Sequence, residues 1–430
     1  MNAALTRLKA LLPKSSFARN VAVIAGGTAA GQSIVVLASP IITRLYTPEE
    51  FGVLAVYTSL LGILSVVASL RYELAIPLPE EDTDAASLLV LSLGIVVFMS
   101  LFTGLGILIL DDYVAQWPDI KVLQPYLWLL PFGILMTGTY QVFNYWAVRK
   151  KAFSSIARTK LNQGIGLVLT QIILGLYKLG PLGLILGQIA GQAAGSSTLA
   201  AIFRRENSQA AEEISFASIR KVAGRYRRFP LLSSGSALIN SAGLQLPTLL
   251  LAAFYGPQVA GWFALSQRVI GTPLGLVSQS TAQVFVGEAS QIRRAKQEML
   301  PLFWSTVKRQ AYISLPVVLI IPLLPWVFEF LFGRNWYEAG IYAVTFSLAL
   351  IFQFITSPVG GVLDVLERQG LHLLREFFRL LVLCLAILIG NTFNLGPRGT
   401  VALFSLSLMI TSLVYLLISL VAIRQYMINK

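Results

Sequence analysis

Apolar residues in this chain fall in runs of about twenty, parted by short polar connections, and not in the short alternating blocks of a soluble domain. A helix needs about 20 residues to cross roughly 30 Å of hydrocarbon, so each run has the length of one crossing. The pattern predicts an all-α polytopic membrane protein with twelve spans, near 21–43, 52–76, 87–110, 123–147, 161–177, 181–203, 230–254, 259–286, 311–332, 340–364, 378–393 and 399–423. The eleventh carries the weakest signal. A transmembrane barrel would show alternating segments of about ten residues, and none is present.

Composition agrees with this: 56% of the 430 residues are hydrophobic and 12% charged. The net charge of +13 would suggest nucleic acid as the partner of a soluble protein, but here its distribution says otherwise. Alternate connections hold 26 of the 33 Lys and Arg residues, the opposite ones five, and Arg71 and Arg268 lie inside spans. Basic residues favour the cytoplasmic side, so both termini are expected in the cytoplasm. Residues 1–20 are basic and amphipathic and lead into an apolar stretch without a clear cleavage pattern. They read as a surface helix before a retained first span. The single cysteine, Cys384, excludes an internal disulfide, and with one histidine, His372, no metal cluster is expected and no cofactor is implied.

The longest connection, 204–229, is polar, mixed in charge and cytoplasmic by this reading. It divides the chain into lobes at 21–203 and 230–430. The lobes read as repeats. Tyr46, Pro48 and Gly52 after the first span recur as Tyr255, Pro257 and Gly261 after the seventh; Gly180, Pro181 and Gly183 before the sixth recur as Gly396, Pro397 and Gly399 before the twelfth. Turns favour these residues in any case, but two matches at equivalent places argue for duplication of a six-helix unit. With an even number of spans per unit, the copies would share one orientation about an axis along the membrane normal.

Several polar residues fall within the spans. Gly183, Gly187, Gly191 and Gly195 form a packing stripe in span 6, beside Gln188 and Gln192, which either bond between helices or line a polar cavity. Span 1 has Gly27, Gly31 and Gln32. Span 4 carries Tyr140, Gln141, Phe143, Asn144, Tyr145 and Trp146, either as anchors in an interfacial belt or as a platform for sugar or isoprenoid, with Tyr140 and Asn144 on one face. Spans 7 and 8 are the most polar, with Asn240 and Gln245 in one and Gln267, Arg268, Thr272 and Gln279 in the other. Lipid satisfies none of these groups, so they should line water or a polar substrate.

Arg268 lies roughly 14 Å deep, near the midplane, with no acidic residue within a helical turn. An intramembrane arginine costs about 2.5–3.5 kcal/mol against lipid, which points it at a partner or an anionic ligand. Arg71 sits near the cytoplasmic end of span 2, where it could snorkel. Two residues apart on a helix, Arg71 and Glu73 should point apart and pair poorly. Under the repeat offset of 209, Arg71 corresponds to Ser280 and Arg268 to Ser59, so the charges break the symmetry of the scaffold.

The stretch RLYTPEEFGVLAVYTSLLGILSVVASLRYELAIPLPE at 44–80, with YQVFNYWAVRKKAFSSIARTK at 140–160, resembles the polysaccharide-transporter family of O-antigen flippases. The resemblance runs through all twelve spans and is most specific at 43–80. It implies two six-helix bundles around a V-shaped central cavity lined mainly by spans 1, 2, 7 and 8. It also implies movement of undecaprenyl-pyrophosphate-linked oligosaccharide from the cytoplasmic to the periplasmic leaflet of the bacterial inner membrane. Such a protein does no covalent chemistry. Arg71 and Arg268 suit the diphosphate, since guanidinium stays charged and donates two bonds at once. Gln32, Asn240, Gln245, Gln267, Tyr140 and Asn144 are the further substrate candidates. Glu73, Asp364 and Glu288 are candidates for coupling to a proton or sodium gradient. The partners implied are the lipid-linked substrate, membrane lipids and other polysaccharide-assembly proteins.

Two rival readings stay open. A multidrug antiporter would be expected to hold its deep charges on acidic residues, whereas the deep charge here is Arg268. A membrane polymerase or transferase needs catalytic acids or a histidine on a sizeable loop, but the longest outer connection is about 111–122 and His372 falls on the cytoplasmic side. A structural role in an assembly complex, docked through the basic loops, is a third.

Overall fold

A computed structural model describes residues 16–114, 121–206 and 215–428. Most of the amphipathic N-terminus, part of the longest outer connection and residues 207–214 of the linker lie outside the described residues. In chain order the helices are α1 (Ser16–Leu45), α2 (Pro48–Ser65), α3 (Asp82–Val114), α4 (Leu130–Arg149), α5 (Phe153–Leu176), α6 (Pro181–Glu206) and α7 (Phe216–Arg225). They continue with α8 (Ser234–Ser266), α9 (Thr272–Arg294), α10 (Leu300–Ile320), α11 (Leu324–Phe332), α12 (Tyr337–Thr356), α13 (Val362–Val365), α14 (Gln369–Thr392) and α15 (Gly396–Ile428). No strand occurs among the described residues, and every predicted span meets a helix.

Several boundaries differ from the hydropathy pattern. Span 2 is not one helix: α2 ends at Ser65, and a turn leads to a 3₁₀ segment at Tyr72–Ala75. The eleventh span starts nine residues earlier than predicted, because the charged residues Arg375, Glu376 and Arg379 pair with one another and so enter the helix. The seventh and eighth spans are parted where expected: the backbone leaves the helical conformation at Gly256 (φ 82°) ahead of Pro257, so α8 is two helices meeting at that turn. Proline at its first position and a reciprocal cap start α2: Glu50 Oε2 accepts from the Thr47 amide at 2.7 Å, and Thr47 Oγ1 accepts from the Glu50 amide at 3.3 Å.

The chain forms two compact units, one of residues up to Tyr46 with Tyr57–Ala242, the other of Thr47–Val56 with the residues from Gly243 onward. In the first, α1 packs on α5, α5 on α6, and α4 on both α3 and α6. Small residues make this possible. A Cβ on Gly31 would lie 2.4 Å from the Lys160 carbonyl oxygen, and one on Gly191 2.9 Å from that of Gln163. The glycine stripe of α6 is thus a packing surface against α5. The outer face of α3, with Phe98, Leu101, Phe102, Leu105 and Leu108, is exposed and apolar, as lipid requires. The linker helix α7 opens with a Ser215–Ser218 capping box and docks on α3: Lys221 Nζ donates to Asp84 at 3.3 Å, Ser87 and Ser218 share a hydrogen bond of 2.9 Å, and Tyr72 Oη donates to the Ala223 carbonyl at 3.0 Å.

The second unit has two cores, one around Phe263, Phe346 and Phe404, whose ring centroids lie 5.1–5.9 Å apart, the other around Phe285, Phe303, Val362 and Leu363. It also holds the two repeated turns against each other. A Cβ on Gly52 would meet the Pro257 carbonyl oxygen at 1.7 Å, and one on Gly261 would meet that of Pro48 at 1.9 Å. Each glycine therefore faces the proline of the other turn.

Backbone conformation carries the duplication further than the sequence matches. Helices α5 and α14 are both 24 residues long and begin 216 residues apart. At the same offset, Lys151 and Glu367 precede them with positive φ, Lys178 and Asn394 follow them likewise, and Gly180 and Gly396 complete the turns at φ 58° and 69°. Left-handed backbone is rare for lysine and glutamate, so this coincidence at equivalent sites marks repeated units.

Candidate functional site: a cationic cavity in the first unit

Where α2 ends, Leu70 and Arg71 both adopt left-handed backbone (φ 49° and 64°), a conformation that surrounding structure must impose on non-glycine residues. The following 3₁₀ turn, Tyr72–Ala75, brings the Glu73 carboxylate back beneath Arg71. Arg71 Nη1 lies 3.7 Å from Glu73 Oε1, and Ser69 Oγ donates to the same carboxylate. The expectation that these two charges would point apart is therefore overturned, because it assumed a regular helix that the turn interrupts. Glu73 is 1% exposed, whereas the Arg71 side chain keeps 27% of its surface, so one charge is structural and the other open.

Both line a cavity of about 370 Å³. α4 contributes Thr137, Tyr140, Gln141, Asn144 and Tyr145; α5 contributes Lys160 and α6 Gln192. The Lys160 ammonium stands 4.7 Å from the centroid of the Tyr140 ring, whose hydroxyl shares a 3.3 Å hydrogen bond with Thr159. Gln192 Oε1 accepts from Gln163 at 3.1 Å, so it both bonds between helices and faces the cavity. Three polar atoms around this space, Arg71 Nε, Thr137 Oγ1 and Asn144 Oδ1, are shut off from solvent without a hydrogen-bond partner. Each such group costs about 1–3 kcal/mol unless something completes it. With two cations against one carboxylate, the cavity suits an anion that also offers hydroxyl or amide groups.

The aromatic run of α4 is no interfacial belt. Tyr140, Phe143 and Trp146 are buried, and Trp146 packs edge-on against Phe203 at 5.1 Å. Behind the site, Arg149 ties down the loop that follows Glu73: its guanidinium donates to Asp82 Oδ1 at 2.8 Å and to the carbonyls of Pro79 and Glu80, while Lys150 donates to Asp82 Oδ2 at 2.6 Å. Arg149→Ala should remove about 2 kcal/mol from that loop, roughly a thirtyfold rise in amide exchange over 76–82 with α5 unaffected.

Of the residues singled out in the sequence, Arg71, Glu73, Tyr140 and Asn144 share this cavity. Arg268 lies elsewhere, in a π-helical turn at Gln267–Gly271, half-buried, its guanidinium 5.8 Å from the Phe51 ring and Nη1 buried without a partner. Gln267 opens that turn, Gln245 is half-buried on α8, Asn240 is exposed on α8 and Gln32 on α1. Glu288 on α9 and Asp364 on α13 are also exposed. The sequence reading missed Lys160 because it placed 149–160 in a connection. Lys160, Gln163 and Gln171 form a polar stripe at helical spacing, which is the signal that α5 starts earlier.

A family model described as "Polysaccharide biosynthesis protein" matches residues 41–340. No curated protein matches the chain. Among solved structures, it is similar to an inward-facing multidrug resistance MATE family transporter of the MOP superfamily (TM-score 0.74, 16% identity, covering 92% of this chain and 95% of that one). It is also similar to the lipid II flippase MurJ in an inward closed conformation (0.66, 15%, 94% and 90%). A MOP superfamily transporter from Pyrococcus furiosus, described as having a binding pocket of reversed polarity, gives 0.59 at 14% identity over 94% and 96%. The fold is thus that of the multi-pass MOP transporters.

Proposed function

We propose, since the chain belongs to the polysaccharide biosynthesis protein family, that it is a flippase for oligosaccharide carried on undecaprenyl pyrophosphate. The cargo moves from the cytoplasmic to the periplasmic leaflet of the bacterial inner membrane, by alternating access of two lobes and without covalent chemistry. The observation that carries this reading is the first-unit cavity, where Arg71 and Lys160 stand beside buried polar atoms that lack partners. Arg71 and Lys160 receive the diphosphate, Tyr140 offers a ring face to the first sugar, and Asn144 and Thr137 bond its hydroxyls. The MurJ structure, named as a lipid II flippase, supports a lipid-linked cargo by analogy of fold.

Residues 204–229 form the cytoplasmic linker between lobes 21–203 and 230–430, with both termini in the cytoplasm. Arg268 serves as a second anion-binding residue, and Gln267, Gln245, Asn240 and Gln32 are further substrate contacts. Among the ion-coupling candidates, the burial of Glu73 favours it over Glu288 and Asp364. Other polysaccharide-assembly proteins receive the product. A multidrug antiporter is the second reading, favoured by the likeness of fold to a multidrug transporter; the cavity's excess of positive charge speaks against cationic drugs.

The test is the leaflet distribution of lipid-linked units in a deletion strain. A flippase defect strands complete units inside, whereas a polymerase or transferase defect leaves unpolymerised or unmodified units outside. In the complemented strain, Arg268→Ala should abolish surface polysaccharide while the protein still reaches the membrane. Normal polysaccharide would remove Arg268 from the path.

A further inference from the structure

The second unit contains a larger cavity, of about 570 Å³, which the cationic site does not use. It is built where the two repeated turns meet, from Thr47, Pro48 and Glu49 of one and Gln258 of the other. Trp262 of α8 and Arg334, Asn335, Tyr337 and Glu338 around the start of α12 close it. These connections fall on the outer side by the distribution of basic residues. Its volume is in the range of small-molecule sites, about 300–1,000 Å³.

The lining is prearranged. Trp262 Nε1 donates to the Asn335 carbonyl at 3.1 Å, and one face of its ring stacks on the buried Tyr342 at 6.0 Å and 21°. The indole is therefore held on two sides, and the rest of its half-buried surface lines the cavity. Glu50 is committed to the cap of α2, whereas Glu49 and Gln258 are exposed and form no hydrogen bond or ion pair among the described residues. Arg398 neutralises Glu338 from outside the cavity. A fixed aromatic face, a free carboxylate and two amide side chains are what a sugar ring needs. Its C–H face is apolar and its hydroxyls both donate and accept. The unpaired Glu49 opposes a carboxylate-bearing or phosphorylated sugar, since the cation of the lining, Arg334, is paired with Glu329 at 3.7 Å.

We infer that the Trp262 cavity is a saccharide subsite for neutral or N-acetylated sugars, which holds the glycan on the outer side. As a description of cargo handling it rests on the flippase reading; as a binding site it stands alone. The test is saturation-transfer NMR on the full-length protein in lipid nanodiscs, with cellobiose, N,N′-diacetylchitobiose and glucuronic acid at millimolar concentration as separate probes. Transfer should reach at least one of the two neutral disaccharides and not glucuronate. Trp262→Ala should weaken it at least tenfold, and Trp262→Phe should restore part of the loss. Glu49→Gln, at an exposed position without a hydrogen bond or ion pair among the described residues, should weaken neutral binding several-fold and admit glucuronate. No transfer from the unaltered protein, equal binding by Trp262→Ala and Glu49→Gln, or glucuronate binding as well as the disaccharides would each overturn the subsite. Those outcomes leave the leaflet assay untouched, and a normal leaflet distribution in the deletion strain would overturn the flippase reading without altering sugar binding.

Discussion

Replacing Arg71 by alanine should slow delivery of lipid-linked units to the outer leaflet by about tenfold to a hundredfold. A hydrogen bond from a charged donor contributes about 1.5–3 kcal/mol, and each 1.4 kcal/mol is about tenfold. The substitution also leaves Glu73 buried without its cation, which is itself destabilising. Loss of transport in Arg71→Ala alone would thus confuse folding with function. The double variant Arg71→Ala, Glu73→Gln separates them: thermal melting in detergent should recover most of the loss, whereas transport should not. Arg71→Lys keeps the charge but not the planar fork, and should fall between. Full transport by the double variant would show that Arg71 serves only to neutralise Glu73.

The second large effect is expected at Gly52. A Cβ there would lie 1.7 Å from the Pro257 carbonyl oxygen, and the obstacle is backbone that cannot rotate aside. Gly52→Val must force the Thr47–Gly52 turn away from the start of the second half of α8. Overpacking usually costs about 1–3 kcal/mol, and an overlap with main chain lies at or beyond the upper end. The melting temperature should fall by several degrees or more, at about 2–4 °C per kcal/mol for a unit of this size. Gly261→Val, its counterpart in the repeat, should do the same, and the double variant should cost less than the sum because one interface is already broken. A variant that melts like the parent would mean that the turns do not need this approach.

Much of the fold was legible from hydropathy because each crossing must satisfy its own backbone and present apolar residues to lipid. That constraint fixes number and approximate position, and it sees duplication where glycine and proline punctuate the turns. It is blind to backbone conformation at residues with ordinary side chains. Nothing about leucine or arginine announces φ near 60°, so the break after Ser65 was invisible, and with it the pairing of Arg71 with Glu73. The cationic cavity was half legible: an arginine in an apolar run and aromatics beside amides were conspicuous, whereas Lys160 was hidden by a helix start placed too late. The aromatic run of α4 shows the limit of composition, since whether a tryptophan faces lipid or protein is decided by its neighbours, here Phe203.

Tyr72 stands between the two charges of the cationic site, and its hydroxyl reaches the backbone of the linker helix at Ala223. The same short 3₁₀ turn therefore has the cavity on one side and the linker on the other. A displacement of Arg71 towards a ligand acts on its chain neighbour Tyr72, while Lys221, Arg225 and Ser218 hold α7 to α3 beside this bond. The linker is then a gauge of what the cavity holds: a chemical tag on α7 would register cargo on Arg71 without touching the site.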